Sequence, residues 1–162
     1  MRFLTIAAII AVTVANVAPA AKDPALPHHK PGLWQNDAVT DGRHSSNQSC
    51  FDDASEMKMR ALSEKHCSAH RIAHNPDGSW TTDSTCTFAP GAERTSHSRI
   101  TGDFNAKITL LSQTSTGTQT AITSTWIGPC KPDQQGGAVV MSNGAKINML
   151  DVMSSRGPAK IH

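Results

Sequence analysis

The stretch Ile100-Thr101-Gly102-Asp103-Phe104-Asn105-Ala106-Lys107-Ile108-Thr109-Leu110 decides the fold class of this chain. Ile100, Gly102, Phe104, Ala106, Ile108 and Leu110 alternate with Thr101, Asp103, Asn105, Lys107 and Thr109. A period of two puts one set on a buried face and the other in water, the pattern of an antiparallel strand. It predicts a single strand over 100–110. Downstream, Ser115-Thr116-Gly117 turns the chain into a Thr-rich partner at 118–127, where Ile122 and Trp126 share a face. Consecutive hairpins of this kind make a meander.

Working outward, Asn75-Pro76-Asp77-Gly78 is strong turn chemistry, because Pro fixes φ and Gly tolerates positive φ. It joins strands at about 67–74 and 79–88, the second carrying Trp80, Cys86 and Phe88 on one face, and Pro90-Gly91 makes the next turn. Gly32 to Thr40 reads as a first strand anchored by Leu33 and Trp34, and the polar run Asp41 to Ser49 as a loop. Between Asp53 and Lys65, Ala54, Met57, Ala61 and Leu62 fall on one face of a helix. Asp53 and Glu56 resemble a capping box at its start, and Lys58, Arg60 and Lys65 lie toward its wet side. Val139 to Met141 and Ser142-Asn143-Gly144 suggest a last small hairpin, Ile147 to Met153 a short C-terminal helix, and Ser154 to His162 a frayed tail. The fold class is therefore mainly β: an antiparallel meander sheet, long enough to curl into a partial barrel, with one packed amphipathic helix and a short C-terminal helix.

The N-terminus reads differently. Met1-Arg2 is a short positive start, Phe3 to Val14 is almost wholly apolar, and Ala18-Pro19-Ala20 offers small residues where a signal peptidase reads. Residues 1–20 are thus expected to be a secretory signal peptide, with cleavage after Ala20 and no membrane span remaining. The apolar run is shorter than the roughly 20 residues of a spanning helix. Residues 21–31, with Pro24, Pro27, Pro31, His28 and His29, read as an extended, solvated lead-in. Residues 32–153 then form one domain, and 154–162 the tail. Such a protein is periplasmic or secreted.

Composition bounds the remainder. The 162 residues carry 15 Lys+Arg against 13 Asp+Glu, a net charge of +2, which leaves no electrostatic footprint for nucleic acid. Without the leader only about a third of the chain is apolar, a thin supply for a core. Cys50, Cys67, Cys86 and Cys130 all lie beyond the leader, an even number in an exported chain, so two disulfides are expected. A four-Cys zinc site would need a C-x-x-C pair, and there is none. Bridged Cα atoms lie within about 7 Å, whereas a helix over 53–65 holds Cys50 and Cys67 about 20 Å apart. A turn centred between Pro76 and Asp77 sets Cys67 opposite Cys86 instead. The expected pairs are Cys67–Cys86 and Cys50–Cys130.

Several pieces together resemble a family of exported bacterial proteins, domain of unknown function 3617. They are Lys30-Pro31-Gly32-Leu33-Trp34, Gln48-Ser49-Cys50 before a helix, Cys67 before a hairpin, Asp77-Gly78-Ser79-Trp80, and Cys86. Gly102-Asp103-Phe104, Trp126-Ile127-Gly128-Pro129-Cys130 and the tail from Asn143-Gly144 to Asp151 complete the set. Similar sequences often carry Glu where this one has Gln35. The resemblance implies no activity and no catalytic residue.

Catalytic constellations are missing from the sequence: there is no G-x-S-x-G, no H-E-x-x-H and no phosphate-binding Gly-rich loop. Asp52-Asp53 reads as capping and Asp103 as a solvated charge. No cofactor is implied. His66, His70 and His74 recur every four residues and could chelate a metal on a helix, but on a strand neighbours four apart stand about 13 Å from each other. Trp80, Phe104 and Trp126 could line a ligand pocket in a curved sheet, or simply form core. The leading expectation is a non-enzymatic envelope module that binds a partner protein or a small apolar molecule. A histidine-based metal-handling protein comes second and a hydrolase third.

Overall fold

The computed structural model describes residues 24–87 and 92–155, with the side chains of residues 68–70 outside that description. The expected signal peptide, Phe88, Pro90-Gly91 and the last seven residues also lie outside it. In chain order the elements are β1 (Gly32–Thr40), β2 (Arg43–Phe51), α1 (Asp53–His66), β3 (Cys67–His74), β4 (Trp80–Thr87), β5 (Glu93–Asp103), β6 (Lys107–Thr114), β7 (Gln119–Gly128), β8 (Ala138–Met141), β9 (Lys146–Asn148) and α2 (Met149–Ser155). All nine strands join one antiparallel sheet in the order β3-β4-β5-β6-β7-β1-β2-β8-β9. The meander is β3 to β7; the N-terminal hairpin then adds beside β7 and carries the β8–β9 hairpin on its far edge.

The single strand expected over 100–110 is instead a hairpin. β5 ends at Asp103, Phe104 to Ala106 turn the chain, and β6 returns with Ile100 opposite Leu110 and Gly102 opposite Ile108. Because this hairpin is symmetric about Asn105, even-numbered residues pair with even-numbered ones and keep one face. Alternation therefore runs unbroken through the turn. Asp103 makes that turn, accepting at its carboxylate from the Asn105 amide (2.8 Å) and at its carbonyl from Ala106 N–H (3.0 Å).

The loop expected over 41–49 is also strand. Asp41 and Gly42 both have positive φ (48° and 79°), the geometry of a two-residue type I′ hairpin turn. β2 lacks apolar alternation because it is held by side-chain hydrogen bonds: Asn36 donates to Asn47 and Ser49, each at 2.9 Å. The same device recurs elsewhere in the sheet, in Ser98–Ser112 (2.9 Å) and Ser84–Ser96 (2.8 Å) within the meander and Thr40–Thr120 (3.2 Å) between β1 and β7. Hydroxyl pairs thus stand where apolar contacts would otherwise be made at those positions. The contiguous apolar cluster is small, Ile100, Phe104 and Ile108 with Leu26, Trp80 and Leu110 packed on them, and Leu33, Trp34 and Val139 are buried apart from it.

Both expected disulfides are present, Cys50–Cys130 and Cys67–Cys86. The second forms by a different register from the one expected. His74 pairs with Trp80, so the hairpin is centred on Asp77, and a regular ladder would set Cys86 opposite Ser68. A one-residue irregularity between Cys67 and Ala69 restores Cys67 to its partner.

Helix α1 connects β2, seventh in the sheet, to β3, first in it. In a flat sheet six strand spacings would separate them by about 29 Å, whereas fourteen helical residues span about 21 Å. The sheet therefore curls toward α1. It does not close, since β3 and β9 remain unpaired edges. Helix α2, which follows β9, packs against α1.

Candidate functional site

The three aromatic residues singled out in the sequence separate. Trp80 and Phe104 pack together on Ile100 and Ile108, and Leu26 of the same chain fills the space against them. Trp80 also packs on the ring of His74, 4.5 Å away. Trp126 stands apart on β7, half-buried, with its indole over Gly32 and Lys30 Nζ 3.6 Å above its ring.

Of the three histidines, His66 ends α1, while residues 70 and 74 stand four apart on β3, about 13 Å along the strand. The side chain of His70 lies outside the described residues. Among the described residues no three His, Cys, Asp or Glu side chains converge in a metal-ligand group.

The polar cluster that does form lies beneath α1, and the sequence hid it twice. The cap lies one residue before the expected Asp53: Asp52 is the N-cap, accepting from Ser55 N–H (2.6 Å), while Ser55 Oγ accepts from Asp52 N–H (3.1 Å). Glu56, expected as the capping partner, is thereby free to turn inward. The helix then packs through Ser55, Glu56 and the half-buried Met59 and Arg60, whereas Ala54, Met57 and Ala61 of its expected buried stripe are exposed. The Glu56–Arg60 spacing of four was the signal available, since such pairs meet on one helix face.

The segment expected to be a solvated lead-in is docked against that face. Leu26 enters the core, and His29 lies between Phe51 (stacked, 4.9 Å) and the edges of Trp34 (5.3 Å) and Phe104 (5.7 Å). Glu56 accepts from the His29 main-chain N–H (3.1 Å) and its Nδ1 (3.1 Å), from Arg60 (3.0 Å), and lies 3.4 Å from His28 Nδ1. A carboxylate only accepts, so the His29 Nδ1 carries a proton here. Burial by itself raises the Glu56 carboxyl. The hydrogen bonds and positive charge of His29 and Arg60 outweigh it and lower the group from 4.5 to about 2.

The remaining donors of the site grip main chain. Arg60 donates to the carbonyls of Leu26 and Pro27, both at 2.9 Å. Trp34 Nε1 donates to Lys30 O (2.9 Å) and Trp126 Nε1 to Pro31 O (3.2 Å). Lys30 N–H in turn donates to Phe104 O at 2.9 Å. Gly32 permits this closeness: its φ is +138°, and a Cβ there would strike the Trp126 indole and Gly128 O. Chemically the arrangement is a clamp for an extended polypeptide. Among the described residues its one buried carboxylate, Glu56, is fully engaged by donors from the strap and from Arg60.

A family model described as protein of unknown function, DUF3617, matches residues 29–130. The match runs from the half-buried His29 of the clamp to the last disulfide cysteine, Cys130. No curated protein matches the chain. Among solved structures, a redesigned beta barrel aligns at 12% identity and a TM-score of 0.26, over 60% of this chain and 90% of that one.

Proposed function

The chain belongs to the DUF3617 family of proteins of unknown function, and from that premise we propose that it is an exported, non-enzymatic envelope module that recognises a partner protein. The observation that carries this reading is that the site's side-chain donors are directed at the main-chain carbonyls of residues 26, 27, 30 and 31. Groups that read peptide backbone suit a polypeptide ligand. A small apolar molecule is the weaker candidate, because Leu26 already fills the space beside Trp80 and Phe104. Glu56, held ionised well below neutral pH, suits a fixed anchor better than an acid or base.

Export is supported by the two disulfides, by the absence of a free cysteine, and by the leader-like sequence of residues 1–20. Among the described residues no helix is long and apolar enough to cross a membrane. The test is native mass spectrometry of the protein recovered from its own periplasm. The expected result is a mature chain beginning at Ala21, without titratable thiols, together with a co-purifying polypeptide. A co-purifying small molecule or metal ion, or cytosolic protein with reduced cysteines and an intact leader, would overturn the reading.

A further inference from the structure

We propose that the groove between α1 and the Trp34–Trp126–Phe104 end of the sheet is a receptor for an extended, proline-bearing segment of a partner protein, and that residues 26–31 occupy it in cis. This deepens the partner-protein reading and rests on it.

The clamp holds six main-chain groups within six residues: the carbonyls of Leu26, Pro27, Lys30 and Pro31, and the N–H groups of His29 and Lys30. Both prolines stand where no N–H is needed, and both demanded donors come from residues that have one. Residues 24–30 belong to neither helix nor strand. Such an extended segment loses little entropy on docking, and indole donors reaching its carbonyls are a recurrent way of reading proline-rich chains. Three side-chain positions add selectivity: an apolar residue at the place of Leu26, a flat ring at that of His29, and a cation at that of Lys30 over Trp126.

The receptor half of these contacts stands on α1, on β1, β2, β5, β6 and β7, and on the β5–β6 turn. The sheet ladders are complete without the strap, so it can leave without unpairing a strand. A competing segment of similar pattern would replace its contacts one for one. The barrier is the tether, which presents the strap to its own groove at an effective concentration of about millimolar. Weakening the strap should therefore open the site to a ligand in trans.

The experiment uses the full disulfide-bonded chain and a fluorescein-labelled peptide of the sequence of residues 24–31, followed by anisotropy. The Leu26→Ala/His29→Ala variant is expected to bind the peptide at least tenfold more tightly than wild type, and adding Arg60→Ala is expected to abolish that gain. A double variant with native near-UV circular dichroism that ignores the peptide would overturn the proposal, as would a triple variant binding as well as the double. Wild-type protein gives a second measurement that needs no mutation. Millimolar unlabelled peptide should speed hydrogen exchange at the His29 and Lys30 amides and leave the β6 and β7 amides unchanged; unchanged exchange at His29 and Lys30 would also overturn it. Wild-type dimers joined by exchanged straps would put a second copy in the groove and refute a foreign partner. A small molecule found by native mass spectrometry removes the partner reading, whereas a peptide that cannot displace the strap removes this inference alone.

Discussion

Glu56→Gln tests the clamp at its centre. The carboxyl is lowered from 4.5 to about 2 by His29 and Arg60 against the cost of burial. At about 1.4 kcal/mol per pH unit, the charged form contributes about 3 kcal/mol at neutral pH. Glutamine keeps the shape and an oxygen for Arg60, but turns an amide donor toward a donor of His29. The expected loss is about 2–3 kcal/mol, or a Tm lowered by roughly 6–9 °C for a domain of this size. The sign with pH follows from a folded value below the unfolded one. The wild-type advantage is complete above about 4.5, drains as pH falls and is gone below about 2. Denaturant titrations of both proteins at pH 7, 5, 4, 3 and 2 measure it. Equal stability at pH 7, or a gap that stays constant down to pH 2, would refute the reasoning.

Three further outcomes are expected. Replacing Cys50 and Cys130 by Ser should cost more than replacing Cys67 and Cys86, by about 1 kcal/mol, because the bridges span 80 and 19 residues and longer loops lose more entropy; paired denaturation curves decide it. Gly32→Ala should destabilise by about 2 kcal/mol or more and shift tryptophan fluorescence, since its Cβ would strike the Trp126 indole, while Gly42→Ala, with open space but positive φ, should cost about 1 kcal/mol. Asp52→Ala should lower stability by about 1 kcal/mol through the lost cap, and Asp53→Ala by much less, which calorimetry distinguishes.

Where side-chain period and turn chemistry agree, the sequence was legible. β1 and β3 lie where they were read, and the turns at Asn75–Gly78, Ser115–Gly117 and Ser142–Gly144 separate strands as expected. The errors share physical causes. The 104–106 turn was hidden because a symmetric hairpin keeps the parity of its faces, so the strand pattern passes through it. β2 was hidden because hydrogen-bonded amides and hydroxyls hold it in place of an apolar alternation. Asp41-Gly42 was its legible sign, a dipeptide suited to a two-residue hairpin.

Local chemistry alone thus determined that this is a cross-linked antiparallel sheet with a helix near its start, since periodicity, turns and cysteine count act over short range. Which face of the helix is buried was decided by tertiary structure. Ala54, Met57 and Ala61 satisfied a helical stripe, yet Glu56 and Arg60 turned inward because a strap of main-chain carbonyls and two histidines waited there. A charge can be buried only where its partners already stand, and those partners come from a segment about thirty residues away.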